Sequence, residues 1–389
     1  MSTRARIITQ QKTSRKTSVG ADVISDVIVS EQSKKDFVDA GFCGEPFADH
    51  GELLVSLSPL LFNMKLCGLY FHRHRRRAED PEWNPANTAT RAAASTSLRV
   101  YATVILVLAW LNHVRLALIF TANDSFGAVL LLKITIFTWG GLMAIFQTTY
   151  YVACHSGQLF KILWTLPVSR DCVRGAHRAA VGLSAFVWIN LIIYFSVVAY
   201  IFFGTDIDSF IFAPFYTYID VSKDTVLVAK MVGYVGFLVM FTGVNFAHSM
   251  SIVLVYIFYS QFKKLQKHFR RALGERGQFH GDLSVFRRRH QTLCRAVNKV
   301  DGFMRLSNVA GFICHIANIV VLFYSIIFFP ESTEDFIAVA TYLFWLIGNI
   351  NGLLFSASAG IVVSTYYESV NMLRVNQSQT NHVRYMCYF

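Results

Sequence analysis

The side chains able to do chemistry in this chain are scattered, and most stand alone inside apolar sequence. Arg115, Lys133 and Lys230 are each the single charge of a long apolar stretch. A charge facing lipid costs about a few kcal/mol or more, so each must reach a polar boundary or a polar cavity. Lys230 starts its stretch and suits snorkelling. Lys133 lies about one to two helical turns deeper, where boundary and cavity are equal alternatives. Asn112 and His113 sit beside Arg115, while Asn190, Asn245, His248, His315, Asn318, Asn349 and Asn351 lie deeper in their stretches. An asparagine so placed ordinarily bonds a neighbouring helix. Tyr200, Tyr234, Tyr324, Tyr342 and Trp345 fall towards the end of the stretches assigned below to the outside. With Lys133 they are the candidate ligand-binding residues, because an aromatic wall with a few polar groups suits a small organic molecule. Each aromatic alone equally suits packing or a headgroup belt.

Catalytic constellations do not emerge. The chain has no His-Glu-x-x-His zinc helix, no Gly-x-Ser-x-Gly elbow and no phosphate-binding glycine loop. His72 and His74 flank the arginines of a basic run, without Cys or carboxylate partners at ligand spacing. The apolar stretches also lack the paired carboxylates or histidines that chemistry inside a membrane requires. These residues predict no enzyme activity, no metal and no cofactor.

The elements that position these groups are the stretches themselves. Val100–Thr121, Phe126–Gln147, Ala179–Phe203, Thr225–Tyr259, Leu306–Phe329 and Phe336–Tyr366 each exceed the roughly 20 apolar residues that span a bilayer. Lipid cannot hydrogen-bond an open backbone, so each must be helical. The fold class is therefore all-α: a polytopic membrane protein with six transmembrane helices.

Loop charge orients them. The N-terminal segment carries Arg73, Arg75, Arg76 and Arg77, the second connection Lys161, Arg170, Arg174 and Arg178, and the fourth runs from Lys263 to Arg305. The alternate connections carry Asp124; Asp206, Asp208, Asp220 and Asp224; and Glu331, Glu334 and Asp335. The positive-inside rule puts the N terminus in the cytoplasm and, after an even number of crossings, the C terminus too. The net charge of +12 is then topological; it suits anionic lipid headgroups and excludes nucleic acid as the partner. The first apolar stretch lies far from Met1, so no signal peptide is expected. None of the seven cysteines falls in an external loop, so no structural disulfide is expected. Asn123-Asp124-Ser125 is a sequon in a very short external loop.

Residues 1–55 read as a disordered cytoplasmic segment, 56–97 as a cytoplasmic interfacial segment and linker, 98–366 as the six-helix transmembrane domain, and 367–389 as a cytoplasmic tail. Within 56–97, Leu57–Phe71 is apolar but too short to span, which predicts an interfacial or re-entrant helix. The loop Gly204–Asp224 combines five aromatic residues, Phe210 to Tyr218, with four aspartates; it either caps a cavity or anchors at headgroup level. Between the fourth and fifth helices, Phe258, Phe262, Leu265, Phe269 and Leu273 share one helical face. After Gly274 and Gly277, the residues Phe286, His290, Leu293, Val297, Val300 and Met304 repeat at four-three spacing. The two runs predict long cytoplasmic extensions of helices 4 and 5, forming a hairpin over 260–305. Such a hairpin cannot bury its seam alone, which makes Phe286, Leu293, Val297 and Val300 candidate oligomerisation residues; the alternative is an amphipathic pair on the lipid surface.

The order of these features resembles the arthropod gustatory receptor family, relatives of insect odorant receptors. Ser58-Pro59-Leu60-Leu61 followed by Lys65-Leu66-Cys67-Gly68-Leu69 resembles that family's segment before its first helix. Arg289-His290-Gln291-Thr292-Leu293, then Val297-Asn298 and Asp301-Gly302-Phe303, is similar to its approach to the fifth helix. Ser356–Ser358 followed by Tyr367-Glu368-Ser369 resembles the end of its sixth. The resemblance implies a plasma-membrane chemosensory receptor: a ligand-gated cation channel, a homo- or hetero-tetramer joined through cytoplasmic helix extensions, with a tastant in the outer halves of the helices. It also implies a pore-lining seventh helix ending Thr-Tyr…Gln-Phe. Here Thr365-Tyr366 closes the sixth stretch with no Gln-Phe after it, and Glu368–Phe389 is too short and polar to span. The alternatives are a carrier of a small solute and a non-conducting accessory subunit. A carrier more often shows repeat symmetry between its halves, and no clear repeat is present.

Overall fold

The computed structural model describes residues 51–71, 96–120, 126–166, 168–204, 223–272, 283–329 and 339–357. The arginine run after Phe71, the sequon, most of the acidic aromatic loop, the tail 367–389 and the question of a seventh helix all lie outside these residues. In chain order the helices are α1 (Glu52–Ser56), α2 (Ser58–Leu66), α3 (Thr96–Ala117), α4 (Ala128–His155), α5 (Gln158–Thr165), α6 (Arg170–Gly204), α7 (Lys223–Ala272) and α8 (Leu283–Phe328). A last helix, α9, covers Val339–Ala357.

Six of these helices, α3, α4, α6, α7, α8 and α9, are long and apolar enough to cross a membrane. The all-α, six-span class read from the sequence is the class observed. The helices outrun their apolar stretches. At 50 residues α7 is about 75 Å long, more than twice the ~30 Å of a hydrocarbon core. With α8, of 46 residues, it reaches well past the spans and defines a hairpin end of the bundle. The opposite end, where α4 begins and α6 stops, is called the far end below.

Burial follows position. The α4 and α7 spans are the most buried and α3 the least. Helix α4 packs on α3, α7 and α8, and α6 packs on α7. The outer helices turn apolar side chains outward: Leu306, Val309, Ile313, Val320 and Ile327 of α8 are all exposed, as are Val104, Leu108, Leu111 and Val114 of α3. Water would penalise such contiguous apolar faces, whereas lipid accepts them.

The segment Leu57–Phe71 is docked within the bundle. Helices α1 and α2 pack on α6, and α2 also on α7. Leu53, Leu54, Leu57, Leu60, Leu61 and Met64 are buried while Val55, Phe62 and Leu66 stay exposed. The turn after α2 leaves carbonyls with no helical partner, and side chains from the spans take them. Tyr101 donates to the Leu66 carbonyl at 2.6 Å, Gln147 Nε2 to that of Cys67 at 3.2 Å, and Cys154 Sγ to that of Leu69 at 3.1 Å. Irregular backbone inside a helical bundle survives only when so satisfied. Gly68 sits at φ +70°, and a Cβ there would press on Ala102, Ile105 and Gln147 at 3.3 Å, so glycine serves both the turn and the close approach. Burial pushes the neighbouring Cys67 thiol up to about 12, which keeps it protonated and unreactive.

The hairpin closes on itself. Phe269 meets Phe286 edge-on with ring centres 5.5 Å apart, and Phe262 meets His290 at 6.0 Å. Buried Arg289 donates to Gln261 Oε1 at 3.1 Å. Lys264 ties the hairpin to the start of α6 through Ser169 Oγ at 2.9 Å. Phe286 and Leu293 are buried within the chain, and Val297 and Val300 are half-buried.

Candidate ligand site

Towards the far half of the bundle, rings from α4, α6, α7 and α9 converge. The Tyr194 ring of α6 lies parallel to Phe241 of α7, centres 3.7 Å apart, and 4.4 Å from Phe344 of α9. Phe237, one turn from Phe241, stacks on Tyr194 at 5.9 Å. Trp139 of α4 lies 6.0 Å from Phe241 and 5.8 Å from Trp345 of α9. Ile136, one turn before Trp139, packs against the same Tyr194. Helical spacing of three and four places these residues on inward faces, so each helix contributes one or two rings. Offset and edge contacts between such rings contribute about 0.5–1.5 kcal/mol per pair beyond burial.

Beside this aromatic junction lies a buried polar network that fixes the helices presenting it. Asn349 of α9 donates its Nδ2 to the Trp345 carbonyl at 2.8 Å. A carbonyl only accepts, so the Asn349 amide orientation is set and its Oδ1 faces the other helices. That oxygen accepts Asn318 Nδ2 of α8 at 3.2 Å and faces His315 Nδ1 of α8 at 3.1 Å. His315 must therefore carry its proton on Nδ1, leaving Nε2 as a bare acceptor. Asn318 Oδ1 in turn lies 2.7 Å from the Thr138 hydroxyl of α4, which also lies 2.9 Å from the Thr135 carbonyl and can donate to one at a time. The histidines extend the layer: His248 of α7 lies with its ring 6.2 Å from His315 and 4.7 Å from Phe146. Close approach of α9 depends on Gly352, where a Cβ would collide with the His315 imidazole.

Trp139 Nε1, the Tyr194 hydroxyl, His248 Nε2, His315 Nε2 and Ser356 Oγ are buried without a hydrogen-bond partner. Among the described residues no group of three or more His, Cys, Asp or Glu could hold a metal.

The residues singled out in the sequence fall in several places. Trp345 belongs to the junction, and Tyr234 packs beside Tyr194 while donating to the Phe195 carbonyl at 2.9 Å. Tyr342 is buried nearer the far end, donating to the Ala128 carbonyl at 3.1 Å, and Lys133 is buried on α4. Tyr324 is exposed on α8 among Phe126, Phe328 and Phe329. Tyr200 lies on α6 and its side chain is outside the described residues. Trp139, Tyr194, Phe237, Phe241 and Phe344 were not predicted. Phe237 and Phe241, four apart on α7, carry a helical spacing that is shared with ordinary core packing, and Trp139, Tyr194 and Phe344 carry none.

This architecture has solved counterparts. The olfactory receptor OR5 of the insect Machilis hrabei, solved in complex with eugenol, superposes with a TM-score of 0.59 over 84% of this chain and 91% of its own, at 14% identity. The same receptor in its other structure gives 0.57 over 84% and 90%, also at 14% identity. The chain has the insect olfactory receptor fold. A model of the family described as 7tm odorant receptor matches residues 168–356, from the start of α6 to the end of α9. No curated protein matches the chain in sequence. The fold likeness and the family match point to the same group of proteins, the insect odorant receptors.

The polar network yields an expected outcome. Asn349→Leu strips Asn318 Nδ2 and His315 Nδ1 of their acceptor, and each interhelical bond of this kind contributes about 0.6 kcal/mol on average and up to about 1.7. Thermal unfolding of the detergent-solubilised protein should show a lowered midpoint. An unchanged midpoint would mean that the network does not hold α4, α8 and α9 together.

Proposed function

We propose that the chain is a chemosensory receptor subunit of the gustatory type, gated by a small organic ligand seated at the aromatic junction and passing cations in an assembled complex. The observation that carries this reading is the convergence of Trp139, Tyr194, Phe237, Phe241, Phe344 and Trp345 from four spans, away from the hairpin. Aromatic surface with sparse polar atoms is what a small, largely apolar molecule needs. In this reading Tyr234, packed beside Tyr194, and Lys133 and Tyr342, buried nearer the far end on α4 and α9, are the wall residues. The gustatory branch rests on the resemblances around Ser58–Leu69 and Arg289–Phe303; the matching family model is that of the odorant receptors. Expressed with any partner subunits it requires, the receptor should give ligand-evoked currents that Phe241→Ala or Trp345→Ala reduces at least about tenfold in sensitivity, the scale of one or two lost ring contacts. Currents of unaltered sensitivity in both variants would place the ligand elsewhere.

The hairpin end faces the cytoplasm in this reading, with the N terminus on the same side. Support comes from the loop charge: Lys263, Lys264, Lys267, Arg270 and Arg271 against Asp206, Asp208, Asp220 and Asp224. An N-terminal epitope tag should be stained only in permeabilised cells; staining of intact cells would reverse the orientation.

Assembly, as a tetramer, proceeds through the hairpin. Phe286 and Leu293 rigidify it from within, and the half-buried Val297 and Val300 are the seam positions a neighbouring subunit can cover. Val297→Glu with Val300→Glu should shift the solubilised protein to smaller species in size-exclusion with light scattering. Unchanged mass would remove the hairpin from the interface.

A further inference from the structure

Two polar atoms of the junction have no counterpart in an apolar binding site. Trp139 Nε1 and the Tyr194 hydroxyl belong to residues 5% and 4% exposed, and neither has a hydrogen-bond partner. Both rings neighbour Phe241, with centres 6.0 Å and 3.7 Å away. Three other tyrosines of the spans find an acceptor nearby. Tyr234 uses the Phe195 carbonyl, Tyr342 that of Ala128, and Tyr150 that of Ala247 at 2.9 Å. The indole N–H only donates, and the phenol donates most readily, so what is missing is an acceptor. The Tyr194 ring lies parallel to that of Phe241 with centres 3.7 Å apart, which leaves its hydroxyl at the edge of the stacked pair.

We infer that Trp139 and Tyr194 are specificity-determining residues that select a small aromatic ligand bearing a hydrogen-bond-accepting oxygen, a carbonyl, ether or hydroxyl, over the matching hydrocarbon. This inference rests on the placement of the ligand at the junction proposed above. An acceptor oxygen in the junction satisfies one or both of these donors, while its ring takes a place among Phe237, Phe344 and Trp345. A hydrocarbon of the same shape gains the ring contacts and leaves both donors unpaired. A site that contains buried donors discriminates against the ligand lacking the acceptor, because the unmet donors are charged to that complex alone.

The probes are acetophenone and ethylbenzene, alike in shape and differing in the carbonyl. Binding is measured by thermal-shift titration of the full-length chain in nanodiscs, with affinities corrected for partition into lipid. The readout is the ratio of the two affinities, which cancels any general loss. The wild-type chain should favour acetophenone by about tenfold or more, the worth of one net hydrogen bond. In Tyr194→Phe with Trp139→Phe, which keeps aromatic rings but removes both donors, the ratio should fall to within about threefold; each single variant should give an intermediate ratio. Phe241→Ala separates the two readings. If it weakens both probes while the double variant keeps the wild-type ratio, the junction stands and the polar assignment is overturned, with water as the partner of the two donors. If Phe241→Ala leaves both affinities as they were, or neither probe binds the wild-type chain at millimolar concentration, the junction is not the site and the inference falls with it.

Discussion

The position of α9 depends on one carboxamide. Asn349 donates to its own helix at the Trp345 carbonyl and offers its oxygen to Asn318 and His315 of α8, while Asn318 reaches Thr138 of α4. Bilayer-spanning helices have no hydrophobic drive to associate once in lipid, so packing and hydrogen bonds of this kind decide which helices are neighbours. Small residues let the bonds form. Gly352 admits the His315 ring, and at Gly311 a Cβ would stand 3.0 Å from Ser356 Oγ. With a Cβ at position 352 α9 would be held away from the His315 ring of α8, and Trp345, Phe344 and Tyr342 would be displaced with it.

The same logic is inverted at the surface. Polar groups sit inside, bonded to one another or to carbonyls, and the outward faces of α3 and α8 are apolar. Where the helices pass beyond their apolar stretches the arrangement returns to that of a water-soluble hairpin, with Phe262, Phe269 and Phe286 inside and Lys and Arg outside. Arg289 is the exception, its guanidinium buried against Gln261. The sequence places it in a run of three arginines, and only the fold distinguishes it from Arg287 and Arg288, which are exposed.

Much of the architecture was legible because it depends on length and composition. Apolar runs of sufficient length can only be helices in lipid, and the four-three spacing after Phe286 already described a hairpin face. Helix pairing was not legible, because it depends on rotation about each helix axis. Asn318 and Asn349 could be suspected of bonding another helix from their position, yet nothing in their spacing named Thr138 or each other. The same gap divides the candidate site. Trp345 was recognisable as a polar-tipped aromatic within a span, whereas Tyr324, polar-tipped and also towards the outer end of its stretch, is exposed beside Phe328. Phe237, Phe241 and Phe344 carry no polar atom, so composition cannot separate them from ordinary core until their neighbours are known. Leu57–Phe71 shows a further limit. Its length excluded a span, but its docked position rests on donors supplied by Tyr101, Gln147 and Cys154 from other helices.

Trp345 belongs to both halves of this arrangement. Its ring faces Trp139 in the junction, and its carbonyl receives Asn349 one turn further along α9. Rings can turn about their side-chain bonds at little cost, so the junction can adapt to an occupant by rotating Tyr194, Phe241 or Phe344. Axial displacement of α9 is a different matter, because it would break the bonds to Asn318 and His315 together and leave buried amide and imidazole groups unmet. Small changes at the junction are therefore absorbed by side chains. A change large enough to move α9 must break these bonds at once, in a layer where His248 Nε2 and His315 Nε2 already have no partner. Adaptation at the rings and all-or-none movement of the helix are thus separated by the polar network, as packed cores with discrete arrangements require.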